Sequence, residues 1–75
     1  MAGLPVLRTR EVVRALERGG FFVHHQTGSH AVLRHRADAT LRVTIPVHTR
    51  DLKRGTLRAI VRSADMSVEE FVRLL

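Results

Sequence analysis

The chain has no cysteine, no tryptophan and no tyrosine among its 75 residues. Without cysteine, disulfide bonds and thiolate metal sites are excluded as sources of stability. The three aromatic residues are all phenylalanine, so a hydrophobic core has to be built mainly from aliphatic side chains. A chain of this length buries only about 60% of the surface that it exposes when unfolded. We therefore expect one small domain, residues 1–75, of modest stability.

Long hydrophobic runs are also missing. No stretch approaches the roughly 18 consecutive apolar residues that a membrane span requires. The N-terminal segment lacks the apolar run of about seven to fifteen residues that marks a secretory signal. We therefore expect a cytoplasmic protein that makes no membrane contact.

Acidic residues are few: seven Asp and Glu stand against thirteen Lys and Arg, which gives a net charge of +6. All but one of these cations are arginine, a residue that binds phosphate through paired hydrogen bonds and stacks on bases. This balance favours a nucleic acid as the partner. An arginine-rich surface that binds nothing would have the same composition, so charge alone leaves both interpretations open.

The first half of the chain is predicted to form a helix followed by three strands. Thr9 is predicted to cap a helix over residues 10–18, which a glycine pair ends. The strands are predicted over residues 21–27, 29–36 and 41–47. Only Gly28 separates the first two strands, so we expect a tight turn that uses the positive φ open to glycine.

The second half is predicted to be helical. Apolar residues recur at helical spacing in one segment: Leu57, Ile60, Val61 and Ala64. A capping-box pattern from Ser67 to Glu70 then opens a last helix with its own apolar stripe: Val68, Phe71, Val72 and Leu75. The order α-β-β-β-α-α predicts an α+β fold. Its three-stranded antiparallel sheet would carry the helices on one face and leave the other face open.

The five histidines lie on or beside the predicted strands and have no metal-ligand spacing, so we expect no metal and no cofactor. His30 differs from the others because it opens a strand directly after the Gly28 turn and shares a sheet face with Arg34. An imidazole beside a guanidinium on an open face is suited to meet a phosphate. It can take a proton from a ribose 2′-hydroxyl or give one to a leaving 5′-oxygen. The alternative is that His30 is an ordinary exposed strand residue.

Two further places are candidates for RNA contact. His48 follows the third strand and either orients RNA, carries a second proton, or is a plain loop histidine. Lys53, Arg54 and Arg58 lie at the start of a predicted helix, where free backbone N–H groups and the helix dipole favour a phosphate. A solvated arginine face is the alternative interpretation of this segment.

Taken in order, these features match a known family. They are Gly20-Phe21, Val23, Gln26, Gly28-Ser29-His30, Val32-Leu33-Arg34, Ile45-Pro46-Val47-His48, Leu52-Lys53-Arg54-Gly55-Thr56-Leu57, Ile60-Val61-Arg62 and Ser67-Val68-Glu69-Glu70-Phe71. Across nearly its whole length the sequence resembles the HicA (YcfA-like) toxins of bacterial toxin–antitoxin pairs. Each piece alone is unspecific, and their common order and spacing carry the resemblance.

The resemblance implies a fold like that of a double-stranded-RNA-binding domain. It implies a metal-independent messenger-RNA endoribonuclease that arrests translation, with His30 as the catalytic residue. The expected RNA contacts are Gly28, Ser29, Arg34, His48, Lys53, Arg54 and Arg58. A HicB-type antitoxin would cover the His30 face, so the expected states are a monomeric free toxin and a hetero-oligomer with the antitoxin.

The sequence departs from the family pattern at two places. Asp65 stands where family members often carry the glycine that ends the second helix, and aspartate adopts the left-handed conformation only at some cost. The connection over residues 36–40 lacks the usual Asp-Gly or Asn-Gly turn, which leaves its geometry open.

Two other functions fit parts of the pattern. One is a non-catalytic RNA-binding module in which Gly28-Ser29-His30 only shapes a turn. The other is a DNA-binding subunit that places Arg54, Arg58 and Arg62 in a major groove, although no dimerisation element is evident. Dependence of activity on a single histidine distinguishes the enzyme from both.

Overall fold

A computed structural model describes residues 3–47 and 51–75. The elements are α1 (Thr9–Arg18), β1 (Phe21–Gln26), β2 (His30–His35), β3 (Arg42–Pro46), α2 (Arg54–Ser63) and α3 (Val68–Arg73). The strands form one antiparallel sheet in the order β1-β2-β3. The predicted α+β class and element order are confirmed, and each strand differs from its predicted range by a residue at one or both ends. This order is consistent with a double-stranded-RNA-binding-domain-like fold.

Burial alternates along β2 and β3, which shows that the helices cover only one side of the sheet. Ala31 and Leu33 of β2 are buried together with Val43 and Ile45 of β3, to which they pair. The residues between them point the other way and are exposed or half-buried. We call this uncovered side the open face. Its paired strand residues are Phe22, His25, His30, Val32, Arg34, Arg42, Thr44 and Pro46.

The core is built from the predicted helix stripes and from an arm that the pattern did not assign to it. The buried apolar helix residues are Val12, Ala15, Leu16, Leu57, Ile60, Val61 and Phe71. Leu4 and Leu7 of the N-terminal arm are buried as well, and the Leu52 amide donates to the Leu7 carbonyl at 2.8 Å. Leu75 was predicted to join the last stripe, but it is 45% exposed because α3 ends at Arg73.

The prediction that Thr9 caps α1 is wrong. The cap residue is Arg8, whose backbone N–H donates to a Glu11 carboxylate oxygen at 3.0 Å. Thr9 lies one residue inside the helix, and its hydroxyl donates to the Pro46 carbonyl at 2.7 Å. The side chain therefore ties α1 to the end of β3, and this long-range acceptor leaves no sign in the local sequence.

The corner between α1 and β1 is closely packed around His35. Gly20 has φ of +99°, and a Cβ built on it would lie 2.6 Å from the Nε2 atom of His35. The His35 Nε2 lies 3.0 Å from the Gly19 carbonyl oxygen, and the Ala37 amide donates to Nδ1 at 3.0 Å. Because Nδ1 accepts, Nε2 carries the proton and donates to Gly19. The ring also meets Phe21 edge-on, with centroids 4.8 Å apart.

Asp65 ends α2 in the left-handed conformation, with φ of 59°. Its amide donates to the Arg62 carbonyl, and the Met66 amide donates to the Val61 carbonyl. This is the Schellman arrangement in which glycine is usual, so the expected strain at this position is present. The predicted capping box follows: the Glu70 amide donates to the Ser67 hydroxyl, and the Ser67 amide donates to the Glu70 carboxylate. The backbone hydrogen bond from Ser67 is the main cause that lowers the pKa of Glu70.

The connection between β2 and β3 closes on an aspartate. The Thr40 amide and hydroxyl both donate to a carboxylate oxygen of Asp38, and the Leu41 amide donates to the Asp38 carbonyl. The Thr40 hydroxyl, and after it the Thr40 amide, lowers the pKa of Asp38. A side-chain turn of this kind takes the place of the Asp-Gly or Asn-Gly turn that the chain lacks.

Candidate active site

Thr27 organises the turn between β1 and β2. Its hydroxyl oxygen accepts hydrogen bonds from the amides of Ser29 and His30, at 3.2 and 3.0 Å. The Thr27 amide donates to the His30 carbonyl at 2.8 Å, and the Val47 amide donates to the Ser29 carbonyl at 2.8 Å. The backbone that leads into His30 is therefore held from both neighbouring strands.

The prediction that Gly28 adopts a positive φ is wrong. Among the described glycines, the positive value belongs to Gly20. A Cβ on Gly28 would meet no atom within 4 Å. The turn does not need the left-handed region because the Thr27 side chain supplies its hydrogen bonds. Because Gly28 has no side chain, the space beside the backbone of this turn, two residues before His30, is open.

His30 is exposed at the start of β2, opposite Pro46 of β3. Its Nδ1 lies 3.2 Å from the Ser29 hydroxyl oxygen, and the donor of this bond depends on the ring tautomer. Within residues 3–47 and 51–75, Nε2 has no hydrogen-bond partner. One ring nitrogen of an exposed side chain is thus held while the other has no partner, an arrangement that suits a proton-transfer group.

Arg34 shares the open face with His30, as predicted, but does not lie beside it. The two residues are four positions apart on β2, which corresponds to about 13 Å along a strand. Arg34 instead pairs with Phe22 on one side and Arg42 on the other, and its guanidinium donates to the Ala39 carbonyl. His30 and Arg34 are therefore placed to contact different parts of an extended ligand.

The cationic helix start is exposed. Lys53 is the N-cap of α2, no side chain caps that helix end, and no acidic residue lies in its first turn. Arg54 and Arg58 are also exposed and follow on the same helix. Because β3 ends at Pro46 opposite His30, only a short connection joins the His30 end of the sheet to this helix start.

His48 lies in that connection, outside the described residues. Its assignment as an RNA-contacting residue is therefore tested by no feature of the structure. Within the described ranges, no group of three or more His, Asp or Glu side chains could hold a metal ion. In the same ranges, no helix is long and apolar enough to cross a membrane.

A family model described as HicA toxin of bacterial toxin-antitoxin matches residues 9–66. The chain belongs to the HicA toxin family. The matched region runs from the first residue of α1 to the Met66 that follows α2, and it includes the whole turn around His30. No curated protein shows significant similarity to the chain. Membership of a toxin–antitoxin family implies that this HicA chain has an antitoxin partner.

His35 is the residue whose role sequence reasoning missed. It stayed uninterpreted because its partners, Gly19 and Phe21, belong to another element and leave no local pattern. The one available signal was the glycine pair, because glycine permits both a positive φ and the close approach of a neighbouring group. In this HicA chain His35 is a structural residue, and the two histidines of β2 have different surroundings.

The sheet differs from the rest of the molecule in the charges that its residues carry. None of the three strands contains Asp or Glu, whereas they contain Arg34, Arg42 and four histidines. The acidic residues lie in helices and connections, and the two whose pKa is shifted, Asp38 and Glu70, are held by local turns. The open face of this HicA chain therefore offers positive charge without a nearby acidic strand residue.

Proposed function

We propose that this HicA-family chain is a metal-independent endoribonuclease that cleaves messenger RNA and thereby arrests translation. His30 is the catalytic residue in this proposal. The observation that supports it most strongly is an exposed imidazole whose Nδ1 and backbone are held by hydrogen bonds while its Nε2 has no partner among the described residues.

The reaction is an attack of the ribose 2′-oxygen on the adjacent phosphorus atom, with departure of the 5′-oxygen of the next nucleotide. His30 accepts the proton of the 2′-hydroxyl or donates one to the leaving oxygen. The nucleophile belongs to the substrate, so the step requires neither an activated water nor a metal. DNA lacks this hydroxyl, which makes the reaction selective for RNA.

Ser29 positions the imidazole in either protonation state. A hydroxyl oxygen can accept, so it can remain bonded to Nδ1 before and after the ring gains a proton. Before Nε2 accepts a proton, the neutral ring carries its own proton on Nδ1, so Nδ1–H donates to the Ser29 hydroxyl oxygen. When the ring is the imidazolium, Nδ1–H donates to Ser29. The same contact therefore serves a base and an acid.

The remaining predicted contacts bind the RNA chain. Gly28 leaves room for a close approach of the substrate backbone to the turn. Arg34 contacts a phosphate removed from the scissile one, and Lys53, Arg54, Arg58 and His48 hold the strand where it leaves the sheet. Cations of this kind neutralise phosphates and release counterions, so binding weakens as salt increases.

The toxin acts in the cytoplasm and is controlled by a protein partner. Residues 1–75 form the single catalytic domain, active in the cytoplasm as a monomer. A HicB-type antitoxin binds the open face in a hetero-oligomer and blocks access to His30. The absence of acidic residues from the strands supports this assignment, because an acidic antitoxin segment would compete with RNA for the same cations.

The test is cleavage of a long single-stranded RNA in EDTA by the native chain and by His30→Ala. His25→Ala is the matched control, since His25 is also an exposed histidine of the open face. We expect His30→Ala to lower the cleavage rate by a hundredfold or more, which is the usual range of about 10²–10⁴ for a proton-transfer group. His25→Ala should cleave at the native rate, and circular dichroism should show all three chains folded.

The cleavage assay, together with measurements of RNA and DNA binding, distinguishes the enzyme from the other two functions. If neither the native chain nor His30→Ala cleaves and both bind RNA equally, the chain is a non-catalytic RNA-binding module. If duplex DNA competes with RNA on equal terms and binding depends on Arg54, Arg58 and Arg62, the DNA-binding interpretation replaces it.

A further inference from the structure

Phe22 is the aromatic residue that the core does not use. Phe21 and Phe71 are buried, whereas Phe22 is half-buried on the open face. The Arg36 guanidinium carbon lies over its ring, 5.4 Å from the centroid. The His24 ring meets the Phe22 ring edge-on, with centroids 6.3 Å apart. These three side chains therefore gather on the side of the sheet that the helices do not cover.

The surroundings of Phe22 match a polyanion. Along one row of the sheet Phe22 pairs with Arg34, and Arg34 pairs with Arg42. Arg36 adds a further guanidinium directly above the ring. Among the described residues, the nearest acid along β2 is Asp38, whose carboxylate is engaged by Thr40. The row therefore combines an aromatic ring with arginine and has no free carboxylate in its strands.

We propose that this cluster, Phe22 with Arg36 and Arg34, stacks an unpaired RNA base while the arginines hold the flanking phosphate. This inference rests on the proposed function of His30 as the cleaving residue and deepens it by naming the substrate class. Bases stack on aromatic rings and on guanidinium planes, and arginine binds the phosphate between them. The base lies in the same sheet row as Arg34 and Arg42, and this row is about 13 Å along β2 from His30.

The geometry selects single-stranded RNA over a duplex. In a duplex both faces of every internal base are covered by its neighbours, so no base is available to stack on a protein ring. A strand that crosses the open face can place its scissile phosphate at His30 and turn a base onto Phe22 a few nucleotides away. The fold resembles a duplex-binding domain, yet this face is suited to unpaired RNA.

The test uses two substitutions that keep the charge of the face. Phe22→Leu removes the ring but retains an apolar side chain, and Arg36→Lys removes the guanidinium plane but retains the positive charge. The probe is a short fluorescein-labelled RNA with 2′-O-methyl groups throughout, which the toxin cannot cleave, studied by fluorescence anisotropy. The same strand annealed to its complement is the duplex probe. Arg14→Lys, on the exposed side of α1, is the matched control.

We expect Phe22→Leu and Arg36→Lys each to weaken binding of the single-stranded probe about tenfold, a typical loss for one stacked base. Binding of the duplex probe should not change, and Phe22→Tyr should restore the native affinity. The loss should persist at high salt, where purely ionic contacts are screened. Arg14→Lys should bind both probes like the native chain.

If folded Phe22→Leu and Arg36→Lys bind the single-stranded probe as tightly as the native chain, the inference is overturned. The cluster would then be assigned to contact with a protein partner. An equal loss for single strand and duplex would overturn the assignment to unpaired RNA. Because the probe cannot be cleaved, these results are independent of His30. Failure of His30→Ala to lower cleavage would refute the catalytic proposal without touching the base-stacking site.

Discussion

The two ends of β2 carry the same residue type in opposite circumstances. At one end His35 uses both ring nitrogens, one toward the Gly19 carbonyl and one toward the Ala37 amide, and its ring packs edge-on against Phe21. At the other end His30 uses only Nδ1, toward Ser29, and its Nε2 has no partner among the described residues. The six residues of β2 thus run from a histidine with one hydrogen-bonded ring nitrogen to one whose two ring nitrogens are both engaged.

The glycines beside these histidines repeat the contrast. Gly20 has a positive φ, and its missing side chain makes room for the His35 ring. Gly28 has no such φ and no neighbour that a Cβ would touch. A glycine or a histidine of a motif can thus be fixed by its neighbours or left without them, and the number of satisfied contacts distinguishes the two cases.

The largest expected effect is that of Gly20→Ala. A residue with a side chain is strained at this φ by about 1–2 kcal/mol, and the new Cβ would also displace a His35 ring that two hydrogen bonds hold. We expect the free energy of unfolding to fall by about 3 kcal/mol. Urea unfolding followed by circular dichroism measures it.

Gly28→Ala is the control for that prediction. Its backbone is compatible with alanine, so stability should stay the same or rise by about 0.5 kcal/mol through the unfolded state. A loss of more than about 1 kcal/mol in Gly28→Ala would mean that the two glycines do not differ in the way described.

The next effect in size is that of His35→Ala. This change removes a hydrogen bond to Gly19, leaves the Ala37 amide without its acceptor and deletes the ring contact with Phe21. We expect the unfolding free energy to fall by about 2 kcal/mol. His30→Ala should change it by less than about 0.5 kcal/mol.

Thermal and urea unfolding measure the stability of His35→Ala and His30→Ala, and the RNA cleavage assay measures their activity. His35→Ala should retain cleavage at temperatures where it is folded, whereas His30→Ala should lose cleavage while fully folded. Equal losses of stability in the two variants would contradict the division of roles between the ends of β2.

The smallest expected effect concerns acid. The Thr40 hydroxyl and amide lower the pKa of Asp38, in the loop that follows the His35 end of β2. Because the pKa of Asp38 is lowered in the folded chain, the ionised carboxylate stabilises the fold at pH values above the ordinary pKa of 3.8. This contribution to stability is lost as the pH falls through the lower pKa that Asp38 has in the folded chain. The Asp38→Asn chain should therefore be less stable than the native chain near neutral pH and equally stable in strong acid.

Melting temperatures of both chains between about pH 2 and pH 6 measure this difference. Glu70 contributes acid sensitivity of the same sign in both chains, because Ser67 lowers its pKa as well. A difference that does not shrink toward low pH would show that Asp38 stabilises the loop without its charge.

Much of the fold was predictable from local pattern because its causes are local. The capping box of Ser67 and Glu70, the helix stripes and the alternation along β2 each depend on residues a few positions apart. The left-handed conformation of Asp65 was also foreseeable, since a helix has to end before the capping box that follows. Order and class follow from such signals.

The parts that could not be predicted depend on residues far apart in sequence. Thr9 does not cap α1 because its hydroxyl finds the Pro46 carbonyl, 37 positions away. Gly28 does not need a positive φ because Thr27 supplies the hydrogen bonds of the turn. His30 and Arg34 were expected to lie side by side on the open face. Residues two or four positions apart on a strand share a face, but four positions also place them about 13 Å apart.

The β-bulge in β1 has a consequence for the composition of the open face. Val23 pairs with Leu33 and His25 pairs with Val32, so His24 is an extra residue that the ladder does not use. Removing it would leave every one of the described pairs between β1 and β2 in register. Without the bulge but with both histidines present, His25 would turn toward the helix side, opposite Ala31. The extra residue therefore behaves as an insertion: the sheet keeps its apolar side intact while its exposed side gains a second ring beside Phe22.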